Sequence, residues 1–130
     1  MGAYEAAVRY ATERVQFGKP IGAHQLVQDL LVKCIGNITA SLGMVVRVVR
    51  DAGPRRAARR ALLAREDVRH ERMRETVGWA REVCGGNGIV LDYDVARFFA
   101  DAEALYSYEG TREMNTLIVG RAITGHAAFA

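Results

Sequence analysis

One apolar stripe runs unbroken from about His24 to about Asp51, and it restricts the fold more than any other feature of the chain. Val27, Leu31, Cys34, Ile38, Val45 and Val49 recur at three- and four-residue intervals, and Leu30, Ile35, Leu42 and Val46 widen the stripe. That spacing predicts one helix about 40 Å long. Such a helix is stable in water only when packed against others of similar length.

The rest of the chain supplies the partners. From Ala3 to Gln16 the residues Tyr4, Ala7, Val8 and Ala11 form a stripe, which Gly18-Lys19-Pro20-Ile21-Gly22 ends. After Gly53-Pro54, helix is expected from about Arg55 to Cys84, with Met73, Val77, Ala80 and Cys84 in period and Ala57, Ala61 and Ala64 adding propensity. Gly85-Gly86-Asn87-Gly88 stops it, and Ile89-Val90-Leu91 forms a short apolar link. Asp92 or Asp94 can cap a helix to about Tyr106, with Val95, Phe98, Phe99, Ala102 and Leu105 on one side. Thr111 can cap a last helix from Arg112 to about Ala127, with Met114, Leu117, Ile118, Ala122 and Ile123 facing inward. No strand pattern or internal repeat competes. The expected fold is all-α, an antiparallel up-down four-helix bundle with short flanking helices.

Composition narrows the function classes. Half of the 130 residues are hydrophobic and the net charge is +3, which argues for one folded domain and against disorder. No run approaches 18 uninterrupted apolar residues, so no membrane span is expected, and Met1-Gly2-Ala3-Tyr4-Glu5 does not read as a secretory signal. Cys34 and Cys84 read as small core thiols in a reducing, cytoplasmic setting. His24, His70 and His126 are scattered, so no metal site is expected. Ten arginines fall between Arg47 and Arg74, but Asp51, Glu66, Asp67, Glu71 and Glu75 are interleaved at pairing distance. No aromatic residue is interspersed for base stacking. The cluster reads as a solvated, ion-paired helix face, and no nucleic-acid partner is expected.

Bundles place chemistry in their connections, and three connections here carry unusual residues. Arg14, Gln16 and Phe17 gather where the first helix unwinds, a combination suited to an anionic, partly planar ligand, or simply to a helix C-terminus. Gly85 and Gly86 follow Glu82 in a turn that lets a backbone or a pyrophosphate approach, or merely caps a helix. Tyr108-Glu109-Gly110-Thr111 sets a carboxylate between two helices; in an apolar cleft it could abstract a proton, and on the surface it is an ordinary turn glutamate.

Taken together, Arg14-Val15-Gln16-Phe17-Gly18-Lys19-Pro20-Ile21-Gly22, Gly85-Gly86-Asn87-Gly88 and Tyr108-Glu109-Gly110-Thr111 resemble, in order and spacing, signatures of the C-terminal domain of the acyl-CoA dehydrogenases. The ending Leu117-Ile118-Val119-Gly120-Arg121-Ala122-Ile123-Thr124-Gly125 is most similar to the glutaryl-CoA dehydrogenase branch. The resemblance covers nearly the whole chain. It implies an FAD-dependent oxidation of an acyl-CoA to its trans-2-enoyl-CoA, with Glu109 as the catalytic base. It implies that Tyr108 and Gly110 border the thioester, and that Thr111 and Glu113 touch the flavin's phosphate and adenosine region. Arg14, Gln16, Phe17, Glu82, Gly85 and Gly86 are implied to meet the FAD of a neighbouring subunit. Glu82 and Glu113 stand where many members carry glutamine.

The resemblance further implies a homo-oligomer, dimer or tetramer, and an electron-transfer flavoprotein as electron acceptor. It implies that an N-terminal helical domain and a middle β-domain lie outside residues 1–130, so the isolated chain is expected to be inactive. The alternative is a non-catalytic helical association module or a truncated remnant.

Overall fold

The computed structural model describes residues 1–51, 56–108 and 111–128, without the side chains of residues 48, 51 and 56–69. Helix α1 spans Gly2–Glu13, α2 Gln25–Asp51, α3 Arg56–Val83, α4 Val95–Ser107 and α5 Arg112–Thr124. The expected all-α class holds. Only α2 and α3 are long; the other three helices have 12 or 13 residues.

Helix α3 is the hub, packing against α1, α2, α4 and α5. Cys34 Sγ meets the Thr76 carbonyl and Asn37 Nδ2 meets the Arg72 carbonyl, so numbering rises on α2 as it falls on α3 and the two run antiparallel. Gly2 abuts Phe98 while Arg9 reaches Asp94, so α1 and α4 are antiparallel too. The core is built from small residues. Ala3, Ala6, Ala7 and Ala11 of α1 lie against Val77, Ala80, Val83, Cys84, Val95 and Ala102, with Tyr10, Leu31, Met73 and Phe98 at its margin. Alanine faces let backbones approach closely, and here they replace the branched stripe of a wider bundle.

Several expected boundaries shift. Helix α1 ends at Glu13, because Arg14 is already extended at ψ 119°. A minimal antiparallel ladder follows, β1 (Val15–Gln16) paired with β2 (Lys19–Pro20), where no strand was expected. Phe17 at φ 53° and Gly18 at φ 77° both adopt the left-handed conformation that a two-residue hairpin turn demands. Helix α3 stops at Val83, one residue short of Cys84. Asp94, before α4, makes no side-chain cap; its carboxylate pairs instead with Arg97 at 3.3 Å and Arg9 at 3.8 Å.

On α2 only the Cys34 and Ile38 side of the stripe is buried, and Val32, Leu42, Val46 and Val49 face outward. Gln25–Arg47 has the length and mean hydropathy, 1.4, of a membrane-crossing segment, although the Asp29–Lys33 ion pair lies within it. On α5 the expected inward side holds only in part: Leu117 and Ala122 are half-buried, Met114, Ile118 and Ile123 are exposed, and the buried residue is Asn115. Helix α5 ends at Thr124, not Ala127, capped by Gly125. Of the arginine cluster, Arg72 and Arg74 pair with Glu75 and Glu103; the side chains from Arg55 to Arg69 lie outside the described residues.

Both thiols are buried, as expected. Cys34 donates to the Thr76 carbonyl at 3.5 Å, and burial pushes its pKa up from the ordinary 9.0 to about 11; burial raises Cys84 as well. A pKa raised on folding means the folded state favours the neutral thiol. That contribution is complete below pH 9.0 and is lost as pH rises through about 11. Native protein should therefore leave both thiols unreacted with an aromatic disulfide reagent near neutral pH, and unfolded protein should expose both. A rapid native-state reaction at either would contradict this packing.

Candidate functional site

The hairpin and the glycine turn, far apart in sequence, meet at one end of the bundle. Ile21 N–H donates to the Arg14 carbonyl at 2.8 Å, folding the hairpin back on the end of α1. Arg14, Gln16, Gly85 and Gly86 then line one cavity of about 320 Å³, together with Tyr10, Ile21, Cys84 and Asn87. Asn87 Nδ2 donates to Tyr10 Oη at 3.0 Å, and the Tyr10 ring meets Tyr93 edge-on at 5.5 Å. The link from Tyr10 to Asn87 joins α1 to the glycine turn.

The glycines of the turn serve three different ends. Gly85 takes φ 56°, which reverses the chain after α3. A Cβ at Gly88 would overlap the Arg81 carbonyl oxygen and stand 2.9 Å from Arg81 Cγ, so the turn closes on α3 only with glycine there. A Cβ at Gly86 would meet nothing within 4 Å. Gly86 therefore has no steric role within this chain, and its bare face opens into the cavity. A cationic side chain and an amide beside an unobstructed glycine leave room for an anionic group such as a phosphate.

Phe17 projects from the hairpin tip, 91% exposed, and is not among the cavity's lining residues; its ring lies 6.1 Å from that of His24. An aromatic residue held at positive φ and offered to solvent costs free energy that the contacts within the described residues do not return. Glu82 is exposed and also outside the lining.

The third connection lies elsewhere. Tyr108 is half exposed after α4, and Thr111 precedes α5. Glu109 and Gly110 lie outside the described residues. Glu113 is exposed, and its own backbone N–H and the Thr111 hydroxyl hold its carboxyl below the usual carboxylate range. Between the end of α4, the start of α5 and α3 sits a cavity lined by Glu71, Arg74, Glu75, Glu103, Tyr106 and Arg112 with Phe99. From Arg74 to Val83, the last residue of α3 before the glycine turn, is about 14 Å along the helix axis. The three sequence motifs thus occupy two places, not one.

Sequence reasoning missed Tyr10, Asn87 and the Glu71–Arg74–Arg112 group. Tyr10 stands four residues before Arg14, on one face of the helix that the sequence predicts, and that spacing was the available signal. A further apolar cavity of about 500 Å³, bordered by Met1, Ile38, Met73, Phe98 and Leu105, contains none of the expected site residues.

The description "Acyl-CoA dehydrogenase, C-terminal domain" matches residues 1–124. The cyclohexane-1-carbonyl-CoA dehydrogenase of Geobacter metallireducens is 30% identical over 98% of this chain and 33% of its own length. The glutaryl-CoA dehydrogenase of Desulfococcus multivorans is 30% identical over 88% of this chain and 30% of its own. A crystal structure of glutaryl-CoA dehydrogenase from Mycobacterium smegmatis superposes with TM-score 0.89 at 34% identity, over 98% of this chain and 33% of that one. A second, in complex with FADH2, gives 0.87 at 28%, with the same coverage of 98% and 33%. The chain spans about a third of the length of these relatives.

Proposed function

We infer, from the premise that this chain belongs to the acyl-CoA dehydrogenase family through its C-terminal domain, that it supplies the catalytic base and part of the cofactor cradle of an FAD-dependent acyl-CoA oxidation. The observation that carries the reading is the meeting of Arg14 and Gln16 with Gly85 and Gly86 in one cavity whose glycine face is unobstructed. There the Arg14 guanidinium and the turn's N–H groups would hold the pyrophosphate of FAD, with Gln16, Phe17 and Glu82 at the margin. Thr111 and Glu113 would approach the adenosine side of a second FAD.

Glu109 would take the α-proton of the acyl-CoA. An α-proton is too weakly acidic for an unaided carboxylate, so the thioester carbonyl must be polarised; the Glu109 backbone N–H would donate to it, between Tyr108 and Gly110. FAD supplies the acceptor for the β-hydrogen as hydride. Two places separated by about 14 Å of α3 on one protomer suit a homo-oligomer in which each protomer serves two flavins. An electron-transfer flavoprotein would fit the role of electron acceptor. Residues 1–130 alone would not turn over.

Gly86→Ala tests the cradle. The substitution should leave the thermal unfolding of the chain unchanged and weaken FAD retention at least tenfold once the missing domains are joined to it. Unchanged retention would remove the cradle. The second reading, a helical association module without catalysis, is favoured by the outward Val32, Leu42, Val46 and Val49 of α2. It predicts self-association without flavin reduction by any acyl-CoA.

A further inference from the structure

The last turns of α4 and the first residue of α5 are both tied to one turn of α3, and we propose that Arg74 and Arg112 are positioning residues for Glu109, an inference that rests on Glu109 being the base. Arg112, the first residue of α5, places Nη1 2.7 Å from Glu71 Oε1. Arg74 Nε donates to Glu103 Oε1 at 2.7 Å, and its guanidinium lies over the Tyr106 ring, 4.2 Å from the centroid. Glu103 and Tyr106 belong to the last turns of α4. Glu71 and Arg74 are three residues apart, on the same face of α3. One helical turn of α3 therefore holds both the exit from α4 and the entry to α5.

Helix α5 also packs along α3, with Asn115 buried and Leu117 and Ala122 half-buried, but its other apolar residues are more open. Met114 and Ile118 are 44% exposed and Ile123 is 79% exposed. Two of the nearby carboxylates share their surroundings with these pairs. Glu75 takes Arg72 at 2.9 Å, and Glu113 stands 3.6 Å from Arg112 Nε, on the side away from the Glu71 contact at Nη1. Each pair is partly exposed, with side chains 38% to 49% accessible, so each alone is modest and sensitive to salt. Their joint effect is geometric. A base acts only within hydrogen-bond reach of its proton, and a small displacement of the turn lowers the rate steeply without altering substrate binding elsewhere.

Two backbone bonds report the mooring: Tyr108 N–H to the Ala104 carbonyl and Asn115 N–H to the Thr111 carbonyl, both 3.1 Å. Amide exchange measured residue by residue by NMR on the 130-residue chain tests it. Arg74→Gln should speed exchange at Tyr108, and Arg112→Gln at Asn115, each about fivefold. The amides of Ala7 and Ala11 in α1 should not change. The paired exchange Glu71→Arg with Arg112→Glu should restore Asn115. Unchanged rates in the single variants, or no restoration, would overturn the proposal. If Arg112→Gln also speeds the α1 amides, Arg112→Lys decides: protection kept at Asn115 supports the mooring, and protection lost to the glutamine level overturns it. Glu109→Gln should leave both reporter amides alone. Failure of Glu109 as base would thus appear only in turnover, and failure of the mooring only in exchange.

Discussion

Replacing Glu109 by glutamine in the assembled enzyme lowers turnover of an acyl-CoA by about 10³-fold, with little change in acyl-CoA binding. Glutamine matches the shape of glutamate and keeps its carbonyl oxygen as an acceptor, but it cannot take a proton. The loss therefore falls on the step in which the α-proton moves, not on the pocket. General-base catalysis contributes about 10²- to 10⁴-fold in well-positioned sites, which sets the expected size. The pH dependence separates this from a structural effect. Wild-type turnover should rise with pH through the pKa of the bound-state carboxyl, since only the ionised form is a base. The variant's residual rate should lose that limb. A variant whose pH profile kept the wild-type shape would show that another group removes the proton.

The largest effect on stability is expected at Gly88. An alanine there drives its Cβ into the Arg81 carbonyl oxygen, which is fixed in the last turn of α3 and cannot swing aside as a side chain could. Overpacking against backbone costs about 1–3 kcal/mol, and the rigid neighbour argues for the upper half of that range. For a domain of this size the midpoint of thermal unfolding should fall by roughly 8 °C. Gly85→Ala should cost less, about 1 kcal/mol, for its positive φ. Gly86→Ala should cost nothing measurable, because no atom lies within 4 Å. The order Gly88, Gly85, Gly86, read by circular dichroism on the three variants, separates the glycines that build the fold from the one left bare. Equal losses at all three positions would mean that the turn is simply a loop intolerant of side chains.

What the sequence revealed follows from how far apart the interacting residues are. Val77 and Ala80 on α3, and Cys34 and Ile38 on α2, were legible because helical period reports burial directly. Helix α5 broke that rule: Met114, Ile118 and Ile123 have the residue types of a core face, yet they stand 44% to 79% exposed. Periodicity identifies apolar residues and says nothing of which molecule buries them. The hairpin was illegible because two residues a strand are too few for alternation, and because a phenylalanine at positive φ is not the residue that announces such a turn.

In the site, Arg14, Gln16, Gly85 and Gly86 could be picked out as motifs, but their meeting could not. It depends on the hairpin folding back through the Ile21–Arg14 hydrogen bond and on the Asn87–Tyr10 contact across 77 positions. Arg112 and Glu71, 41 positions apart, left no local trace at all.

The most direct test joins this chain to the N-terminal and middle domains of a glutaryl-type relative, loads FAD, and follows the flavin absorbance anaerobically as glutaryl-CoA or a simple acyl-CoA is added. The account predicts that the joined protein is reduced by an acyl-CoA, that the 130-residue chain alone neither retains FAD nor reacts, and that Glu109→Gln in the joined protein abolishes rapid reduction. Rapid reduction by the Glu109→Gln protein, or turnover by the isolated chain, would contradict it.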